Sequence, residues 1–149
     1  MTENIKASIK HEVSLSMKEG NKFRTITLRL IVSAFQVEEI SKKEELNDKE
    51  CIEILEKMIK QRKDSISQFE SAGREELSKK EKDEILIIQE FMPEQLSVEE
   101  IDILVKKVIS ETNAESMKDM GKVMGMLKEL TSGKADAGYI SSEVKKALS

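Results

Sequence analysis

Pro93 is the only proline in a chain of 149 residues, and four of the six glycines crowd into the last thirty positions, at 121, 125, 133 and 138. Long stretches therefore run without a residue that breaks a helix. Their apolar residues are Ile, Leu, Val and Met, with only 3% aromatics, and they recur at spacings of three and four rather than two. The prediction is an all-α protein with almost no strand, organised as two helical modules.

Seven helical segments follow from the spacing. Thr2 is placed to cap a first helix with Ile5, Ile9, Val13 and Met17 inward, ending near Gly20. A second is expected over 22–43, with Phe23, Ile26, Leu30, Ala34, Val37 and Ile40 on its buried side. Asn47 or Asp48 caps a third, whose stripe Ile52, Leu55, Ile59, Arg62, Ile66 and Phe69 contains one arginine and stops at Ala72-Gly73. A fourth runs from Arg74 to about Phe91 with Leu77, Ile85, Ile88 and Phe91 inward. Glutamates four residues ahead of lysines, such as Glu53-Lys57 and Glu75-Lys79, mark the solvent sides. Four helices with short links should form a bundle over residues 1–92.

Met92-Pro93-Glu94-Gln95-Leu96 interrupts the pattern, because proline donates no backbone hydrogen bond and biases its predecessor away from helix. A second module is predicted over 96–149. Ser97 and Glu100 have capping-box spacing ahead of Ile101, Leu104, Val105, Val108 and Ile109. Ser116 and Asp119 form a weaker box ahead of Met117, Met120, Val123, Met124, Leu127 and Leu130, with Met126 off the apolar side. Gly133 is placed to end that helix, and Asp136 to cap a last one bearing Ile140, Val144, Ala147 and Leu148.

Gly121 and Gly125 are four apart inside the sixth segment, so they share a face, and each costs roughly 0.8–1 kcal/mol relative to alanine. Either neighbouring helices pack closely there, or the face is left bare for another backbone to approach. Composition and periodicity leave both readings open.

Charge and reactive residues narrow the chemistry. The formal net charge is −4, and neither half is basic, with 17 basic and 19 acidic residues up to Met92 and 8 and 10 after it. Nucleic-acid contact would have to be local, through Lys60, Arg62, Lys63 and Arg74 or through Lys122, Lys128 and Lys134. His11 and Cys51 are the only histidine and cysteine, too few for a zinc site or a disulfide framework. Ser142 and Lys145 have Ser-x-x-Lys spacing without the further motifs that chemistry requires. Gly133-Lys134-Ala135 lacks the hydroxyl residue and preceding strand of a phosphate-binding loop. No catalytic residue, metal or cofactor is therefore assigned. No apolar run approaches the length of a membrane span and the Met-Thr-Glu-Asn start is unlike a signal peptide, so a reducing cytoplasm is the expected home.

Taken in order, Lys60-Gln61-Arg62-Lys63-Asp64-Ser65, Phe69, Ala72-Gly73-Arg74, Pro93-Glu94-Gln95-Leu96-Ser97, Asp119-Met120-Gly121-Lys122-Val123-Met124-Gly125 and Gly133-Lys134-Ala135-Asp136 resemble the bacterial YqeY-like proteins over the whole chain. That family is similar, over its C-terminal part, to the tail of the B subunit of glutamine-dependent Asp/Glu-tRNA amidotransferase. The resemblance implies a helical bundle followed by a three-helix tail, and an association with tRNA, with amidotransferase subunits or with an aminoacyl-tRNA synthetase. It also carries the label of a carbon–nitrogen ligase using glutamine as amide donor. The catalytic cradle of the B subunit and the serine–lysine centre of its partner have no counterpart here, so the appendage role alone carries over. Gly121, Lys122, Gly125, Gly133 and Lys134 are the expected binding residues, with Arg62, Lys63 and Arg74 as a second cationic site. A protein-interaction module without RNA contact is the competing expectation.

Overall fold

A computed structural model describes residues 4–149. Among them lie seven α-helices, one 3-10 turn and no strand. Backbone contacts divide the chain into two compact units that meet in sequence between Met92 and Pro93.

The first unit holds α1 (Ile5–Glu19), α2 (Lys22–Lys42), α3 (Asp48–Ser71) and α4 (Glu75–Gln89). Thr2 lies outside the described residues; Asn4 caps α1, its side chain accepting from the Ala7 amide at 2.7 Å. Gly20 closes the helix in the left-handed conformation at φ 73°, which costs glycine nothing and lets the chain turn into α2. At this hairpin the hydroxyls of Ser16 and Thr25 meet at 2.7 Å, buried, with Thr25 also bonded to the Asn21 carbonyl. α1 packs on α2, α3 on α4, and α4 on α2. Their shared core is Ile9, Leu28, Ile31, Phe35, Cys51, Leu55, Met58, Ile59, Ile85 and Ile88. Asn47 and Glu50 make a reciprocal capping box at the start of α3.

The buried side of α2 differs from the expected one. Phe23, Ile26, Leu30, Val37 and Ile40 are exposed, by 39, 60, 44, 67 and 77%. The helix instead buries Thr25, Thr27, Leu28, Ile31 and Phe35. Two seams of helical period coexist on α2; the buried one brings Leu28, Ile31 and Phe35 into the shared core, and the Thr25 hydroxyl keeps partners there that offset its burial. Met17 and Leu77 are likewise exposed. The arginine in the α3 stripe is explained: Arg62 Nε lies 2.8 Å from a carboxylate oxygen of Glu84, itself buried on α4, and 3.9 Å from Glu81.

The second unit holds α5 (Val98–Thr112), a 3-10 turn (Met117–Asp119), α6 (Met120–Thr131) and α7 (Ala137–Leu148). Ser97 and Glu100 form the expected capping box, and Asn113 ends α5 in the left-handed conformation. The three helices pack on one another around Ile101, Val105, Val108, Val123, Leu127, Ile140, Val144 and Leu148, with Tyr139 half-buried against them. Met117 falls in the 3-10 turn rather than on α6, and it and Leu130 are exposed where an inward position was expected. Ala147 is also exposed. Asp136 occupies the cap position of α7 but makes no side-chain capping bond.

Candidate functional site

The α6 glycines are bare. A Cβ built on Gly121 or Gly125 would meet no heavy atom within 4 Å, apart from the helix's own neighbouring backbone and the adjacent residues. Both are exposed, as are Lys122, Lys128 and Glu129 around them. Within the second unit, therefore, no neighbouring helix packs closely on the glycines. The core side of α6 lies opposite, at Val123, Leu127 and Thr131.

The N-terminal edge of this face is fixed by Asp119. Its carboxylate accepts from the amides of Glu115 at 2.9 Å and Ser116 at 3.3 Å. These two bonds, with a smaller contribution from the nearby Lys122 ammonium, hold its carboxyl below the usual aspartate value. Lys122 thus projects from a helix start that is held rather than frayed.

Gly133 has another part. It is buried, in the left-handed conformation at φ 75°, and its carbonyl accepts the Gln95 side-chain amide at 2.7 Å. The next carbonyl, of Lys134, accepts the Leu96 amide at 2.8 Å, and the Lys134 amide donates to Thr131 at 2.8 Å. Gly133 precedes the exposed Lys134 side chain, and its own carbonyl is engaged by Gln95. Sequence spacing gave no sign of this link, because Gln95 and Gly133 are 38 residues apart.

The second cationic group belongs to the first unit and is not uniform. Lys63 and Arg74 are exposed. The Arg62 guanidinium is turned inward to Glu84 and the Met58 carbonyl, its side chain 13% exposed. It is a structural ion pair rather than an open phosphate contact.

Cys51 is buried, and its thiol is pushed up to about 11, first by burial and then by the negative charges of Asp48 and Glu39. Among the described residues no group of three or more His, Cys, Asp and Glu is arranged to hold a metal ion, and no helix is long and apolar enough to cross a membrane.

An uncharacterized protein of Schizosaccharomyces pombe is 34% identical over 94 residues, 63% of this chain and 76% of its own length. The altered inheritance of mitochondria protein 41, mitochondrial, of Kluyveromyces lactis is 31% identical over 155 aligned positions, covering 95% of this chain and 83% of that one. Its namesake in Pyrenophora tritici-repentis is 29% identical over 136, covering 89% and 75%. Residues 6–148 match the family described as Yqey-like protein, and the chain belongs to that family.

Proposed function

We propose that this protein is a non-catalytic helical adaptor whose α6 face docks tRNA, or an amidotransferase or aminoacyl-tRNA synthetase that holds tRNA. The observation that carries the reading is the open space above Gly121 and Gly125. Two glycines in an exposed helix cost stability that no internal packing offsets, and a bare strip of main chain lets a bulky backbone come close. Lys122, Lys128 and Lys134, all exposed, are the groups to meet phosphates. Lys63 and Arg74 supply the secondary cationic contact, with Arg62 fixing the helix beneath them. The single buried thiol suits a reducing compartment, and we assign the cytoplasm, with the mitochondrial names of several relatives marking the alternative.

Mobility shift with elongator tRNA across a salt series tests this. Binding at low salt, with a log–log salt slope reduced by about two in Lys122→Ala/Lys134→Ala, is the expected result. Absence of binding at low salt, or indifference to that double substitution, removes RNA.

A second reading is favoured by the exposure of Met126 and Leu130 on the same helix, 37 and 47%: a protein partner docks on α6 without RNA. Gly121→Leu then abolishes partner capture while tRNA behaviour is unchanged. The carbon–nitrogen ligase label is tested by assaying the purified protein for glutaminase or amidotransferase turnover, with and without added subunits; no turnover is expected.

A further inference from the structure

The end of α4 is closed differently from the helices before it. α1, α2 and α3 are followed by Gly20, Lys43 and Gly73, each in the left-handed conformation, which turns the chain away and gives the last carbonyls partners. α4 has no such residue. Glu90 follows it in helical conformation, and the amides of Glu90, Phe91 and Met92 reach back only three residues, to the carbonyls of Ile87, Ile88 and Gln89 at 3.1–3.2 Å. These are the bonds of a helix that tightens into a 3-10 turn before it stops. The last turn of α4 carries no basic residue, and Glu90 sets a carboxylate at the negative end of the helix, where its charge opposes that turn.

Phe91 and Met92, half-buried, pack against the first core. A further hold comes from another helix. The Arg24 guanidinium, in the first turn of α2, donates to both oxygens of Glu90, at 2.6 and 3.0 Å, and reaches Glu12 of α1 at 3.2 Å. One cation is thus shared between two carboxylates. The Glu90 side chain is 46% exposed, so dissolved ions can compete for the pair.

We infer that residues 90–92 form a strap latched by Arg24, and that the strap lifts while the four helices stay packed when the Arg24–Glu90 pair is lost. The latch is asymmetric. Without the cation, Glu90 faces the terminal carbonyls of α4 and the Glu12 carboxylate unopposed, and the last turn is driven open. Without the Glu90 charge, the pair is gone but so is the repulsion. A pair that only cross-links two helices has no such asymmetry. The lever is ionic: salt competes for Arg24 and bares the apolar surface beneath Phe91 and Met92.

Native-state hydrogen exchange of the full chain tests this. The Phe91 and Met92 amides should exchange about 100-fold faster than those of Leu55 and Ile59 in α3, and should be insensitive to sub-denaturing urea, the mark of a local opening. Arg24→Gln is expected to quicken Phe91 and Met92 about tenfold further. Glu90→Gln should quicken them less, and Arg24→Gln/Glu90→Gln should fall back to the Glu90→Gln rate. Sodium chloride at about 0.5 M should quicken both amides severalfold in the unaltered protein and leave the double variant unchanged. Oxidation of Met92 by hydrogen peroxide, followed by peptide mass, should rise in the same order, because the lifted strap bares its thioether. Urea-sensitive exchange at the rate of Leu55 and Ile59 shows that the segment opens only with the whole unit, and overturns the inference. Equal rates in the three variants reduce the pair to a plain cross-link and overturn it too, as does indifference to Arg24→Gln or, in the unaltered protein, to salt.

Discussion

The side-chain amide of Gln95 donates to the carbonyl of Gly133 at 2.7 Å, and so ties the segment before α5 to the turn after α6. With the Leu96–Lys134 backbone bond beside it, this is a two-point clasp. Gln95→Ala is expected to lower the stability of the second unit by about 1 kcal/mol, because a buried carbonyl loses its donor. Gln95→Glu, nearly isosteric, should cost more, since a carboxylate oxygen would then face the carbonyl. Thermal unfolding of both variants checks the order.

The open face of α6 makes an opposite prediction. Gly121→Ala and Gly125→Ala introduce a methyl that meets nothing and should each raise stability by about 0.5–1 kcal/mol. Denaturant unfolding reads the gain. If the same variants weaken tRNA or partner binding, stability and function are traded at these two positions.

Arg62 and Glu84 are partners whose separation is costly. Arg62→Met keeps the aliphatic packing but leaves the buried Glu84 carboxylate without its cation, and a loss of about 3 kcal/mol is expected. Arg62→Met/Glu84→Leu should recover most of it. A double-mutant cycle by chemical denaturation measures the coupling.

Asp119 predicts a pH dependence. Its carboxyl is held below the ordinary value by the Glu115 and Ser116 amides and then by Lys122, so its contribution is complete above the ordinary aspartate range and is lost as pH falls through the lowered folded value. Asp119→Asn should flatten that part of the stability–pH curve. Thermal unfolding between acid and neutral pH compares the two proteins.

The Cys51 thiol, pushed up to about 11 by burial and by Asp48 and Glu39, should alkylate roughly 100-fold more slowly at neutral pH than an ordinary thiol, because the thiolate is the reacting form. Iodoacetamide labelling with and without denaturant gives the ratio. Labelling at the ordinary rate in the folded protein contradicts its place in the core.

Local signals carried the helices. Ser97 and Glu100 announce α5, because a capping box is written within four residues, whereas Asn47 and Asp48 both offered to cap α3 and the Asn47–Glu50 box decides for Asn47. The inward side of α2 was not legible, since periodicity finds a seam without saying which of two seams the other helices cover. Arg62 stood out as a charge in an apolar stripe, yet its meaning lay in Glu84, 22 residues away. At the candidate site the shared face of Gly121 and Gly125 was readable, and whether that face was covered was not. Gly133 read as a helix stop and is also the acceptor for Gln95, a long-range contact that no local pattern encodes.

The placement of Tyr139 in the second core has a practical consequence. It is the sole tyrosine, tryptophan is missing, and all four phenylalanines precede Pro93. Phenol emission therefore reports the melting of one half of the molecule and is blind to the other, so comparing it with helix-wide ellipticity reveals whether the two halves unfold together or in succession.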